Sequence, residues 1–447
     1  MISGATPGTG ALPRGDDSQA VAAGDHDSHV VAPGDIAVGV VIGRASEYFD
    51  YFVYGIASVL VFPFIFFPFV TRLDGILLSF CVFALAFIAR PIGSIVFFDI
   101  QRRWGRSTKL TLALFVLGTC TVGIAFLPGY GAIGYMSYVL LAFFRLGQGI
   151  ALGGSWDGLP SLLAMSAPPK RRGWYAMLGQ LGAPIGFMIA SGLYLLLVAT
   201  LSLEDFLDWG WRYPFFCAFA INVVALFARL RLVVTHEFDE LLAQKELEPT
   251  PTTEMLRSQG YNVVLGAFVA LAGYALFHVI TIFPLSWILL FSGQSITAFL
   301  AIQILAAIVG IAGTLASGVI ADRIGDRRKT LGFFATLIAV FSGFAPTLLD
   351  GGALGQDVFM LIGFALLGLT YGQAAGALNA SFDPQYRYTG AALTSDVAWL
   401  IGAGFAPLAA LGLSAYFGLG YVSLYLLSGA AGTLAALWIN RKLEEKD

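Results

Sequence analysis

Charge is what this sequence has least of. Only 12% of its 447 residues are Asp, Glu, Lys or Arg, about half the share carried by an ordinary soluble domain. That scarcity argues against a water-soluble globule. The formal net charge of −3 gives no basic footprint for nucleic acid, which is not an expected partner. Cysteine is scarce as well: Cys81, Cys120 and Cys217 all sit in apolar runs. Their spacing fits no zinc or haem pattern, and they read as small buried hydrophobes. No His/Cys cluster suggests a metal, and no cofactor is expected. A Gly-rich phosphate loop followed by Lys-Ser/Thr is missing, which argues against an ATP-driven pump. No nucleophile–base arrangement stands out, so the chain does not read as an enzyme. A secretory leader is also missing, because residues 1–35 carry Asp, Ser, Gly and the histidines His26 and His29 instead of an apolar core. They read as a disordered cytoplasmic tail, and the first apolar span must direct insertion.

What is abundant is apolar. The composition is 57% hydrophobic, with 53 glycines and 37 phenylalanines, and mean hydropathy is +0.79. Glycine lets membrane helices approach closely. A span needs about 20 apolar residues. The runs predict an all-α membrane protein of about twelve transmembrane helices: 38–62, 73–97, 109–127, 134–163, 173–198, 213–233, 261–290, 295–320, 330–349, 357–380, 389–414 and 419–440.

The few charges are placed regularly. Arg102, Arg103, Arg106 and Lys109 follow span 2, and Lys170, Arg171 and Arg172 follow span 4. Arg229, Arg231, Lys245 and Arg257 follow span 6, and Arg323, Arg327, Arg328 and Lys329 follow span 8. Arg387 follows span 10, and Arg441, Lys442 and Lys446 follow span 12. The other side has Arg72 and Arg212. By the positive-inside rule both termini are cytoplasmic. The longest internal polar stretch, 234–260, contains His236 and breaks at Pro249 and Pro251. It separates an N-terminal six-helix bundle, 36–233, from a C-terminal one, 261–440, with a cytoplasmic tail at 441–447. The halves resemble each other weakly. Gly105-Arg106 matches Gly325-Asp326, Gly182-Ala-Pro184 matches Gly404-Phe-Ala-Pro407, and Arg172-Gly173 matches Arg387-Tyr-Thr-Gly390, all at an offset of about 220 residues. Such a parallel repeat is a signature of two pseudo-symmetric bundles around a central cavity.

The loop Gly318-Val-Ile-Ala-Asp322-Arg323-Ile-Gly325-Asp-Arg327-Arg328 resembles the cytoplasmic loop motif of the major facilitator superfamily. The resemblance implies that Asp322, Arg323 and Gly325, with Arg106 in the other half, form a structural loop clamping neighbouring helices. The first-half copy departs from the pattern, since Arg102 stands where the superfamily has an acid, although Asp99 is close by. Five further segments resemble the metabolite:proton symporters within that superfamily. They are Glu47-Tyr-Phe-Asp50-Tyr-Phe-Val-Tyr-Gly55, Arg90-Pro-Ile-Gly93, Arg145-Leu-Gly-Gln148-Gly149 with Gly153-Gly154, Arg171-Arg-Gly-Trp-Tyr175 and Trp209-Gly-Trp-Arg212-Tyr-Pro214. This implies uptake of a small organic acid or zwitterion (dicarboxylates, shikimate-like acids, proline or betaine) together with protons.

Charges inside spans mark the candidate site, because each costs several kcal/mol in hydrocarbon unless paired or facing a wet cavity. Arg44, Glu47 and Asp50 lie on one helix at spacings of three, with Tyr51 and Tyr54 a turn beyond. Glu47, Asp50 and, in span 11, Asp396 are the proton-coupling candidates; Asp396 could equally be a cation contact or bond to a hydroxyl or water. Arg90 and Arg145 could hold a substrate carboxylate bidentately, or pair with Glu47, Asp50 or Asp157. Tyr51, Tyr54, Gln148, Trp156 and Gln180 complete the substrate-binding candidates. Related symporters have Gly-Gly-Glu-Trp in span 4, where this chain has Gly153-Gly154-Ser155-Trp156-Asp157. Ser155 carries no proton at neutral pH, and Asp157, two residues on, points roughly 200° away around a helix. His278 reads as a satisfied structural histidine.

The expectation is a secondary active transporter that moves a small organic acid or zwitterion with protons by alternating access. It would act as a monomer in the inner membrane, with substrate, protons and lipid as partners. Ser155 and Arg102 keep open an uncoupled facilitator or exporter. A transport-inactive membrane sensor is the remaining alternative, against which the short loops count.

Overall fold

The computed structural model describes residues 33–155, 163, 167–233, 248–380 and 382–439. All regular structure among them is helical, as backbone surrounded by lipid requires, since a helix satisfies its own N–H and C=O groups. Helix α1 spans Pro33–Leu60. The segment Arg72–Ala125 is two helices, α2 (72–104) and α3 (106–125), which meet at Gly105 with φ of 84°. Then come α4 (Met136–Gly154), α5 (Arg172–Thr200) and α6 (Arg212–Val233). Helix α7 runs from Thr252–Val269 into Leu271–Phe291, and so begins inside the stretch read as a linker, with Pro251 as its N-cap residue. The rest are α8 (Ile296–Ile324), α9 (Arg327–Asp350), α10 (Gly352–Ala380), α11 (Pro384–Phe417) and α12 (Gly420–Ile439). This is the expected set of twelve. Span 4 is the exception in extent: α4 ends at Gly154, and Trp156 and Asp157 lie outside the described residues.

In the first half α1 packs on α5 and α6, and α4 packs on α2 and α3. In the second half α8 packs on α10, and α12 packs on α7 and α9. The halves meet along two seams, α5 against α8 and α2 against α11. The repeat is visible in backbone contact. A Cβ on Gly149 of α4 would lie 2.3 Å from the carbonyl oxygen of Ala86 on α2, and one on Gly368 of α10 would lie 2.4 Å from that of Gly310 on α8. Only glycine permits helices to touch this closely, and the two sites are again about 220 residues apart.

Two local irregularities place the site. Pro91 sits inside α2 directly after Arg90; it has no N–H, so it removes one helical bond and loosens the turn that bears the arginine. On α11, residues Trp399–Gly404 form a π-helical turn just after Asp396, and such turns recur at functional sites.

Candidate functional site

Two polar clusters lie along α1. The first surrounds Asp50, which is 4% exposed. Its carboxylate accepts hydrogen bonds from Thr121 Oγ1 on α3, at 3.1 and 3.0 Å, and from Asn222 Nδ2 on α6, at 3.2 Å. Thr121 Oγ1 in turn accepts from Gln148 Nε2 at 2.9 Å, and Gln148 Oε1 accepts from Arg145 Nη1 at 3.1 Å. The positive charge of Arg145 thus reaches Asp50 through two neutral side chains, with no ion pair between them. Arg145 itself is 1% exposed. Its Nε donates to the carbonyl of Phe83 at 3.3 Å, and its guanidinium lies 4.0 Å from the ring centre of Tyr54 and 4.8 Å from that of Phe83. Such stacking supports a cation where water is excluded.

The second cluster lines a cavity of about 30 Å³ with Arg44, Glu47, Tyr48 and Tyr51 of α1, Phe87 and Arg90 of α2, Ser155 after α4, and Trp399 of α11. A water needs roughly 10–15 Å³ measured this way, so in this state the cavity suits a pair of waters and excludes a metabolite. Arg44 Nη1 donates to Glu47 Oε2 at 2.9 Å along one helix face. Arg90 Nε is 2.7 Å from Asp396 Oδ1, an ion pair that joins α2 to α11 across the seam. Ser94 donates to the other oxygen of Asp396.

Rings close the cavity toward the second half. The hydroxyls of Tyr48 and Tyr371 share a hydrogen bond, and Tyr51 is bonded to Nε2 of His278, whose Nδ1 is 3.1 Å from Thr281 Oγ1. Phe277 and Trp399 fill the space between, with ring centres 4.9 Å apart.

At the end of the bundle rich in Arg and Lys the seams are fastened differently. On α8, Asp322 accepts the backbone N–H groups of Gly173 and Trp174, at 2.7 and 3.2 Å, and so caps the start of α5 in the other half. On α2, Asp99 pairs with Arg102 and Arg103 of its own helix, at 2.7 and 2.8 Å. The acidic reach across the seam therefore exists in the second half and is replaced in the first. There Lys109, which its place in the sequence groups with the loop charges, is fully buried. Its Nζ donates to Gln101 Oε1 at 3.0 Å and to Tyr388 Oη at 2.9 Å. The turn at Gly105 sets α3 back against α2, so Lys109 points into the seam while Ser107 and Thr108 stay exposed.

The structure sorts the expected residues. Glu47, Tyr51 and Arg90 line the cavity; Asp50, Gln148 and Arg145 form the relay, and Tyr54 stacks on it. Arg90 pairs with Asp396 and not with Glu47 or Asp50; Asp157 lies outside the described residues. Arg145, stacked and fully enclosed, cannot reach a substrate in this state. Gln180 is buried on α5 with its Oε1 unbonded, and it does not line the cavity. Trp156 lies outside the described residues. In the loop, Gly325 has φ of 66° and ends α8, Arg323 is exposed and Arg106 half-buried. Thr121, Ser94 and Lys109 were not singled out from sequence. Hydroxyls in apolar runs give no signal, and the lysine's position depends on one backbone turn.

A bundle of twelve apolar helices in two halves, with ionisable groups held at its centre, is the architecture of a membrane transporter. The sequence model of the Major Facilitator Superfamily matches residues 129–407. An inner membrane metabolite transport protein of Escherichia coli (strain K12), YhjE, is 38% identical over 417 residues, covering 91% of this chain and 94% of the relative. The shikimate transporter of the same organism is 30% identical over 407 residues, covering 88% and 91%. A structure of the proton:xylose symporter XylE bound to 6-bromo-6-deoxy-D-glucose has the same fold, with a TM-score of 0.70 at 18% identity over 91% of this chain and 95% of that one. The chain belongs to the Major Facilitator Superfamily. It is a membrane transporter and not an enzyme, related to metabolite transporters.

Proposed function

We propose that this transporter is a proton-coupled symporter of a small carboxylate, an organic acid or a zwitterion, working by alternating access as a monomer. The observation that carries the reading is Asp50. It is a buried acid whose hydrogen-bond partners are all neutral. It can take or release a proton without breaking an ion pair, and each change is felt at Arg145 through Thr121 and Gln148. The arginines at the cavity, Arg44 and Arg90, favour an anionic group on the substrate. The name of one relative, a shikimate transporter, supports a carboxylate, and that of another supports the inner membrane. The distribution of Arg and Lys favours both termini on the cytoplasmic side.

One observation favours a second reading. Ser155 lines the cavity where related symporters carry an acid, so an uncoupled facilitator is the alternative. Uptake of a panel of radiolabelled organic acids and betaines into proteoliposomes, with and without an inward proton gradient, separates the two. Accumulation that requires the gradient supports symport. Equal flux without it sinks symport and leaves the facilitator.

A further inference from the structure

A second cavity lies beyond the rings that close the first. It holds about 10 Å³, room for a single water at most. The polar cavity sits at the α2–α11 seam, with Arg90 and Trp399 in its lining. The second sits at the α5–α8 seam, where Pro184 Cβ is 3.5 Å from the place a Cβ on Gly310 would take. Helix α1 borders both. Tyr48 lines the first and Phe52 the second, one turn and about 6 Å further along.

The two linings have opposite chemistry. Arg44, Glu47 and Arg90 bring charge to the first. Phe52, Phe187, Phe277, Phe364, Pro184 and Leu367 dominate the second, and no carboxylate, guanidinium, ammonium or imidazole lines it among the described residues. Its two threonines are already committed. Thr281 donates to the carbonyl of Phe277 at 2.9 Å, and Thr314 to that of Gly310 at 2.9 Å. A hydroxyl has one hydrogen, so neither has a donor left for an entering group. The hydroxyl of Tyr371 is shared with Tyr48, at the boundary of the two cavities. A charged or hydroxyl-rich group placed at the apolar end would lose its hydration with little in return.

The walls between the cavities come from both halves. Tyr48 of α1 meets Tyr371 of α10. Phe52 of α1 stacks on Phe277 of α7, with ring centres 5.8 Å apart and planes 7° apart. Phe187 of α5 faces Phe364 of α10, with centres 5.1 Å apart. Each contact pairs a residue of the first half with one of the second, and none is an ion pair. Parting the halves undoes all three and joins the cavities into one cleft, charged at one end and apolar at the other.

We propose that this cleft selects a monocarboxylate with an apolar body, whose carboxylate lies at the arginine end and whose ring or branched chain fills the phenylalanine end. Dicarboxylates and polyhydroxylated acids are selected against. This deepens the proposed function and rests on its carboxylate substrate. The body gains by leaving water for a ring-lined space. A second carboxylate at the far end finds no donor there. A quaternary ammonium can lean on ring faces, but no acid lines the apolar cavity to offset its charge, so betaine is a comparison ligand and not the expected one.

The test is calorimetric titration of the full-length protein in nanodiscs at neutral pH, with empty nanodiscs as the blank. The probe is cyclohexanecarboxylate. The comparison ligands are acetate, trans-cyclohexane-1,4-dicarboxylate, glycine betaine and the uncharged cyclohexanemethanol. The probe is expected to bind at least about tenfold tighter than each of the four, since its ring adds several buried methylenes to what acetate offers. Any of the four closer than that overturns the proposal. Leu367→Phe, which occupies the apolar end, is expected to weaken the probe about tenfold and to leave acetate unchanged; full retention of probe affinity contradicts the proposal. If that variant fails to fold, the wild-type series decides alone. Acetate or the diacid binding as well as the probe sinks this proposal and leaves the carboxylate reading standing. No binding of any acid sinks both. Binding does not require transport, so the symport reading is judged separately by the gradient-driven uptake assay.

Discussion

Asp50 and Arg145 are joined without touching. Arg145 donates to Gln148, Gln148 to Thr121, and Thr121 to Asp50, with each step between 2.9 and 3.1 Å. A direct ion pair would hold the acid in its charged form. A relay through neutral groups leaves it able to change protonation and passes the change from α1 through α3 to α4.

Thr121 is the centre of that relay, and Thr121→Val removes a donor from Asp50 and an acceptor from Gln148 at once. Leaving buried polar groups unserved costs about 1–3 kcal/mol. A lower thermal unfolding midpoint and weaker gradient-driven uptake are expected for Thr121→Val, with Thr121→Ser near wild type. Equal behaviour of the valine and serine variants would remove the hydroxyl from the relay.

The contact of α4 with α2 leaves no space for a side chain at Gly149. In Gly149→Ala the added Cβ meets the Ala86 carbonyl oxygen, and overpacking of this kind costs about 1–3 kcal/mol or more. Gly368→Ala should do the same to α8 and α10, where the contact is equivalent. Fluorescent thermal unfolding of the two variants should show losses of similar size. A neutral Gly149→Ala would mean the helices are not held at this distance.

Tyr48 and Tyr371 close the cavity by sharing one hydrogen bond between the halves. Each Phe substitution removes the same interaction. The double variant should therefore lose little more stability than either single one, in a cycle whose coupling falls within about 0.5–3 kcal/mol. Additive losses would show that the hydroxyls act separately.

Asp322 caps α5 from the opposite half, so Asp322→Ala should lower stability by about 0.5–2 kcal/mol, as the loss of an N-terminal cap does. It should also widen the α5–α8 seam at the basic end, which spin-label distances between the two helices would report. Unchanged distances would confine Asp322 to a local role.

Much of this was legible in the residues. Apolar runs of the right length marked the twelve helices, and the spacing of three placed Arg44 and Glu47 on one helix face, where they pair. Gly105 and Gly325 were matched from sequence as equivalent turns, and both have positive φ. The partner of Arg90 was not legible, because Asp396 reaches it only when the two halves close along the α2–α11 seam. Nor was the burial of Lys109, since a lysine next to a basic loop looks solvated until the turn at Gly105 directs it inward. The resemblance pointed to Asp50 and Arg145 as separate candidates; the hydroxyl and amide that connect them have no signature in an apolar run.

The most direct test of coupling through Asp50 is proton entry driven by substrate. Proteoliposomes holding a pH-sensitive dye are given whichever carboxylate the uptake panel shows to be carried, with no imposed gradient. Coupling predicts that the wild type acidifies the interior as substrate enters. It also predicts that Asp50→Asn, which keeps the size of the side chain, still exchanges labelled for unlabelled substrate but moves no protons. Equal acidification by the wild type and Asp50→Asn would contradict it.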